Sequence, residues 1–210
     1  MTLLLLRHGE SQGNVERLIQ GWAEYDLTAL GRLQAEAAGS HLAGHEVAAL
    51  YSSPLRRARA TAEIVGARLG REVLDLPDLR EYGFGEAEGL RWQEAQQRFG
   101  LAGREWGSGR VPGEEGMPAF RDRVERQIEE LAQRHAQDVA VAVIHGGVLG
   151  AFAARLMGLA DGAYAQIFAA NCGLTRLRPG MDGATSIEVL NEVCHLRELG
   201  AIQKEPWLTP

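Results

Sequence analysis

Arg7 and His8 directly follow an apolar run, Leu3-Leu4-Leu5-Leu6, and His145 directly follows another, Val139–Ile144. Histidine serves as nucleophile, general base or metal ligand. An adjacent arginine offers a rigid fork of donors for phosphate or carboxylate. Both runs have the length of a buried strand, so each histidine sits where a parallel strand ends, the edge at which open α/β sheets bind ligands. Two strands of one sheet then deliver His8 and His145 to the same place. The glycines that follow, Gly9 and Gly146-Gly147, permit close backbone approach and turn N–H groups toward an anion at a helix start. Arg57, in Tyr51-Ser52-Ser53-Pro54-Leu55-Arg56-Arg57-Ala58, stands on the first turn of a helix that also follows a strand, at its positive end. Glu81, in Leu79-Arg80-Glu81-Tyr82-Gly83, brings a carboxylate after a third strand.

Two histidines, two arginines and one glutamate at strand ends suit phosphoryl transfer. The arginines hold the phosphoryl oxygens, one histidine attacks phosphorus in line, and the carboxyl protonates the leaving oxygen. The reaction asks mainly for positioning and charge neutralisation, which this set supplies with no metal and no cofactor. A metal-dependent hydrolase would place Asp or His ligands at ligand spacing beside a strand-end histidine, and the sequence lacks them there.

The elements that must position these groups read as an α/β pattern. Strands are predicted at Thr2–Arg7, Val47–Tyr51, Glu72–Leu76 and Val139–Ile144. Between them, Thr28 caps a helix running through Leu42. Ser53 as N-cap and Pro54 at the first helical position open another that runs to Leu69. Residues His8–Asp26 read as a loop. Ala119–His135 carries Phe120, Val124, Ile128 and Leu131 on one face, and Gly147–Met157 is a further helix. Leu174–Leu177 and Ser186–Leu190 flank the turn Pro179–Gly183 and predict a terminal antiparallel hairpin. The fold expected is a three-layer α/β/α sandwich: a doubly wound, mostly parallel sheet with an antiparallel edge. The chain reads as one domain, 1–210. Residues 79–116, with one short helix at Trp92–Phe99, form an insertion over the active site. The tail from Lys204 is expected to be loosely held.

Composition narrows the partners. Apolar residues make up 45% and charged residues 24% of 210 residues, at a net charge of −6. That balance argues against nucleic acid and against an anionic membrane surface, and no stretch is long enough to span a bilayer. Cys172 and Cys194 are too few for a disulfide framework or a thiolate metal site. They read as buried, inert thiols of a cytoplasmic protein. His41, His45 and His135 read as surface histidines, His195 as structural, and Arg56 as surface. Trp22 reads either as a pocket wall or as packing, and Trp92 and Trp106 as packing of the insertion.

Arg7-His8-Gly9-Glu10-Ser11 with Asn14, Ser52-Ser53-Pro54-Leu55-x-Arg57-Ala58-x-x-Thr61-Ala62, Leu79-Arg80-Glu81, and Val143-Ile144-His145-Gly146-Gly147 resemble, in order, the motifs of the histidine phosphatase superfamily, also called the phosphoglycerate mutase family. Thr28-x-x-Gly31-x-x-Gln34-Ala35 is similar to the family's first helix. The resemblance implies that His8 is the nucleophile and carries a phosphohistidine. It implies that Arg7, Arg57 and His145 bind and stabilise the phosphoryl group, and that Glu81 is proton donor and then base. Asn14, Gln20, Gly21, Trp22 and Gly146 would complete the phosphate and substrate pocket.

Two departures stand out: Ala87 where the family often has Trp, and Gly116 after Glu114-Glu115 where it often has Ser. The resemblance further implies a metal-independent phosphomonoester hydrolase acting on a small phosphorylated metabolite, as monomer or homodimer. Cofactor-dependent phosphoglycerate mutase is the alternative. The insertion here has scattered arginines (Arg91, Arg98, Arg104, Arg110) rather than a basic, Pro-rich run, which favours the phosphatase branch. A catalytically silent relative that binds phospho-ligands is the second alternative, and the presence of all five core residues speaks against it.

Overall fold

The leucine run of residues 3–6 forms the middle of a six-stranded sheet. The computed structural model describes residues 2–101, 107–159, 167–180 and 185–199. In chain order the elements are β1 (Thr2–Arg7), α1 (Gln12–Val15), α2 (Ala29–Leu42), β2 (Val47–Ser52), α3 (Arg56–Leu69), β3 (Val73–Asp75), α4 (Trp92–Phe99), α5 (Met117–Arg134), β4 (Val139–Ile144), α6 (Gly146–Leu156), β5 (Leu174–Pro179) and β6 (Thr185–Glu192). Short 3₁₀ segments lie at Pro77–Leu79, Gly85–Ala87 and Cys194–Leu199. The strand order is β3-β2-β4-β1-β5-β6. The first four strands are parallel, and β5 and β6 form the antiparallel edge that the sequence predicts.

Both faces of the sheet are covered, which is why β1 and β4 read as unbroken apolar runs rather than alternating ones. Leu4, Leu6, Val141 and Val143 pack against Ala35, Ala38 and Leu42 of α2 and Ala58, Ala62 and Val65 of α3. Leu3, Leu5, Ala140 and Ala142 pack on the other face against Phe120, Val124 and Ile128 of α5 and Val148 and Phe152 of α6. Burying each leucine contributes about 1.5–3 kcal/mol, so the four together fix the strand that ends in His8. No helix among the described residues is long and apolar enough to cross a membrane.

Local differences from the sequence reading have identifiable causes. The loop His8–Asp26 contains α1, capped by Ser11: its Oγ accepts from Asn14 N while Asn14 Oδ1 accepts from Ser11 N. Ser53 and Pro54 do not open α3, which starts at Arg56 with Leu55 as its N-cap. Ser53 still belongs to the sheet edge, its N–H bonded to Val143 O at 3.0 Å, and its hydroxyl is engaged by His145. The third strand is trimmed to Val73–Asp75.

His135 is buried, not on the surface. Tyr51 Oη lies 2.9 Å from its Nε2 and Asp138 Oδ1 2.7 Å from its Nδ1. Of the two cysteines, Cys172 is buried, and burial pushes its thiol pKa up. Cys194 is exposed instead, because it follows an edge strand. Arg104, Trp106, the tip of the hairpin turn at 181–184 and the tail from Lys204 lie outside the described residues.

Candidate active site

Strand register assembles the site. Arg7 pairs with Ile144 across β1 and β4, so the next residues, His8 and His145, emerge side by side. Their ring centroids are 5.2 Å apart at 55°. Ser52 pairs with Val143 across β2 and β4, which brings Ser53 to the same edge. Its Oγ is 2.8 Å from His145 Nε2. His8 is 3% exposed and His145 fully buried. The turn at Asn171-Cys172 closes behind them: Asn171 Nδ2 donates to His8 O at 2.9 Å, and Cys172 N donates to Arg7 O at 3.0 Å.

The protonation of His8 follows from its contact. Its Nδ1 lies 2.7 Å from Gly9 O. A carbonyl only accepts, so Nδ1 carries the proton and Nε2 carries the lone pair. Burial, then the Arg57 and Arg7 charges, hold the His8 pKa well below its ordinary 6.5. The same influences, with His8 itself, depress His145. Both imidazoles are therefore neutral at pH 7.

Arg57 is 1% exposed. It sits on the first turn of α3, and its guanidinium reaches out to the loop after α1. Nη2 donates to Gly21 O at 2.8 Å and Nη1 to Ala23 O at 3.1 Å. Burial lowers its pKa to about 10, with Glu81 and Glu24 opposing the shift, so it remains a cation. Arg7, which donates from Nη1 to Ala169 O, lies beside Gly146. Buried Arg57 Nε and His145 Nδ1 have no hydrogen-bond partner among the described residues. Buried polar groups are otherwise almost always satisfied, so two unpartnered nitrogens, one of them on a guanidinium, describe a place for an anion.

Glu81 stands at the start of α6. Its Oε2 accepts from Gly147 N and its Oε1 from Tyr82 N, both at 2.9 Å. The carboxylate therefore rests on the positive end of the helix that His145 caps. A Cβ on Gly147 would lie 2.0 Å from Glu81 Oε1, so the carboxyl keeps this position only opposite glycine. The Gly147→Ala variant is expected to keep its fold while its carboxyl is pushed aside. A displacement of that order lowers kcat by about 10²-fold with the thermal midpoint nearly unchanged. Paired kinetics and melting check this, and wild-type turnover would remove Glu81 from the chemistry.

The remaining predicted residues are also at hand. Asn14 Oδ1 accepts from Asn171 Nδ2 at 3.3 Å, and Gln20 Oε1 lies 2.8 Å from Ser11 Oγ, leaving both amide NH₂ groups as donors. Gly21 enters through its carbonyl, which holds Arg57. Trp22 is 39% exposed; its Nε1 donates to Glu81 O at 2.7 Å, and Arg80 lies over its ring at 4.2 Å. Arg56 is exposed and faces Asp26.

Four contributors have roles that the sequence reading does not assign. Ser53 reads as a helix cap, and Asn171 follows no strand or motif. Thr61 Oγ1 accepts from Gly9 N and donates to Arg57 O; it stands in the second family motif and at i+4 from Arg57, but neither signal gives it this contact. Arg123, on α5, is 9% exposed. It pairs with Glu115 and donates to the carbonyls of Asp78, Arg80 and Glu81 at 2.7–2.9 Å. It thereby fixes the segment that carries Glu81. The two departures from the family pattern sit in this surrounding: Ala87 is fully buried among Ala95, Leu101 and Val111, and Gly116 adopts φ +89° ahead of α5.

Comparison with known proteins agrees with this geometry. Residues 3–192 match the sequence profile of the Histidine phosphatase superfamily (branch 1). The chain is 33% identical over 208 residues to "Phosphoglycerate mutase-like protein 4" of Arabidopsis thaliana, covering 96% of this chain and 89% of that protein. It is 32% identical over 209 residues to "Metal-independent phosphoserine phosphatase" of the same plant, covering 96% and 86%. A solved mycobacterial glucosyl-3-phosphoglycerate phosphatase in complex with VO3 superposes with a TM-score of 0.80 at 29% identity, covering 91% of this chain and 99% of that one. The chain belongs to branch 1 of the histidine phosphatase superfamily and is a phosphatase of that family.

Proposed function

We propose that the chain hydrolyses small phosphomonoesters in two steps through a phosphohistidine at His8, with no metal in the chemistry. The observation that carries this reading is the pairing of a neutral His8 with its lone pair on Nε2 and orphaned donors on Arg57 and His145. In the first step Nε2 attacks phosphorus, the N–P bond forms, and the bond to the leaving oxygen breaks. Glu81, as carboxylic acid, gives that oxygen its proton. In the second step Glu81 takes a proton from water, whose oxygen attacks phosphorus and breaks the N–P bond, releasing phosphate and restoring His8.

Arg7 and Arg57 balance the charge on the equatorial oxygens. Hydrogen-bonded Ser53 gives His145 a donor at Nε2, which leaves the His145 proton on Nδ1 to face the same oxygens. Asn14 and Gln20 add neutral donors. Residues 79–116, inserted between β3 and α5 and built on their own small cluster of Ala87, Ala95, Leu101 and Val111, act as the cap that selects the alcohol portion. Relatives named for phosphoserine and for glucosyl-3-phosphoglycerate support substrates of that size and charge. The neighbour that holds a vanadium oxyanion supports a phosphoryl-shaped pocket.

The test is phosphate release over a panel of small phosphomonoesters in excess EDTA, with phosphoglycerate mutase activity assayed alongside and denaturing quenches taken during turnover. Release that persists in EDTA, with an acid-labile, base-stable phosphate on the protein, is expected. Activity lost to EDTA and restored by a divalent ion would overturn the metal-free step. Mutase turnover exceeding hydrolysis would move the chain to the other branch of activity.

A further inference from the structure

Away from the histidine pair at the sheet edge, a cluster of imidazole, thiol and carboxylate side chains joins the segment after β6 to α2. His41 lies in the last turn of α2, Glu192 ends β6, and Cys194 and His195 begin the 3₁₀ segment Cys194–Leu199. One ligand atom from each of His41, Cys194 and His195 lies within 4.8 Å of the other two. Glu192 Oε1 is 3.2 Å from Cys194 Sγ and 3.9 Å from His41 Nε2. The His41 and His195 rings stack at 5.1 Å and 20°. Three donors, two imidazoles and one thiol, thus converge on one point, and the Glu192 carboxylate borders two of them, Cys194 and His41.

The orientation of His195 carries the inference. Its Nε2 lies 2.9 Å from Cys172 O. A carbonyl only accepts, so the proton is on Nε2 and the lone pair on Nδ1. That Nδ1 is buried and has no hydrogen-bond partner among the described residues. A metal-ligating histidine characteristically donates its other ring N–H to a carbonyl or carboxylate, which fixes tautomer and ring. His195 already has that arrangement.

We propose that His41, Glu192, Cys194 and His195 bind a single zinc-class divalent ion that pins the C-terminal 3₁₀ segment to α2. One cysteine suffices where imidazoles and a carboxylate complete the set. Two neutral imidazoles, one thiolate and one carboxylate balance a 2+ charge, and the thiol proton of Cys194 leaves to solvent as the sulfur–metal bond forms. Borderline-soft N, S and O donors in a set of four suit tetrahedral Zn²⁺ rather than Mg²⁺ or Ca²⁺. Closing on the ion draws the donors to about 3.3–3.6 Å of one another, from Zn–N and Zn–S lengths of about 2.0 and 2.3 Å. Rotation of the exposed Cys194 and the half-exposed His41 and Glu192 side chains provides that movement, bringing the carboxylate in beside the other three donors. Arg176, 3.9 Å from Glu192 Oε2, steadies the carboxylate from outside. His45, its ring 6.1 Å from that of His41, stands beyond the donor set.

The test uses the full-length reduced protein, stripped with EDTA and titrated with Co²⁺, followed by Zn²⁺ competition. One equivalent is expected to give intense tetrahedral ligand-field bands with a thiolate-to-cobalt charge-transfer band. Cys194→Ser should lose the charge-transfer band, and His41→Ala, which leaves the His195–Cys172 contact intact, should weaken binding at least about 10-fold. His8→Ala should bind as wild type does, which separates this site from the catalytic pair. Zn²⁺ at 100 times Kd should raise the thermal midpoint by about 5–10 °C in wild type and not in Cys194→Ser/His41→Ala. No charge-transfer band, or equal affinity in wild type, Cys194→Ser and His41→Ala, overturns the proposal. A failed titration leaves the phosphatase reading untouched, because phosphate release is assayed in EDTA.

Discussion

The His8→Ala variant is expected to lose on the order of 10⁴-fold or more in phosphate release, because in the proposed mechanism it lacks the group that forms the covalent bond and not merely its orientation. Arg7, Arg57, His145 and Glu81 all remain, so substrate should still bind with a KM or Kd near that of wild type. Steady-state kinetics, a binding measurement and a denaturing quench separate these effects. The variant should show no phosphate on the protein at any time in turnover. Its fold should persist, since the change leaves only Gly9 O without its donor, at a cost of about 1–3 kcal/mol. Turnover within 10-fold of wild type would assign the nucleophile elsewhere.

The second large effect belongs to Arg57. Replacing it by alanine removes the most buried cation of the site and frees the Gly21 and Ala23 carbonyls that it holds. A guanidinium that stabilises phosphoryl-transfer charge is worth about 10³–10⁵ in rate, and kcat/KM is expected to fall by that factor. Lysine should recover only part of the loss, because it keeps the charge without the planar fork. A pH profile gives a readout that general damage would not. Burial depresses the His8 pKa most, and the Arg57 charge comes next. The acid limb of kcat/KM, set by protonation of free His8, therefore lies below 6.5 in wild type and moves to higher pH in Arg57→Ala. An acid limb that stays in place would show that Arg57 does not face His8 electrostatically.

What could be read from residues alone divides by the range of the interactions. β1 and β4 were legible because both faces of a central strand must be apolar. His8, His145, Arg57 and Glu81 were legible because each follows a strand at a short, fixed offset. Strand register then does the rest, since Arg7 opposite Ile144 leaves no other place for the two histidines. The misreadings come from contacts that no local pattern encodes. Ser53 has the chemistry of a helix cap, yet a partner 92 residues away claims its hydroxyl. His135 looks like the polar end of an amphipathic helix until Tyr51, 84 residues distant, covers it. Asn171 reaches His8 across 163 positions from a turn with no regular structure. Arg123 shows the same limit: on a helical wheel it borders the apolar face, and only its five acceptor contacts reveal that it anchors the Glu81 segment.

The paired neutral imidazoles also govern how the fold meets acid. In the unfolded chain His8 and His145 each take up a proton near pH 6.5, whereas in the native protein burial and the neighbouring charges keep both unprotonated well below that value. Between those limits the unfolded state binds more protons, so stability is fully present above about 6.5 and drains away as the pH falls. The loss is about 1.4 kcal/mol per pH unit for each histidine, and about twice that for the pair. The proposed nucleophile, kept in its basic form, is thus also an acid-sensitive joint of the central sheet. The His8→Ala protein, inert as an enzyme, should hold its denaturation midpoint further into acid than the active one.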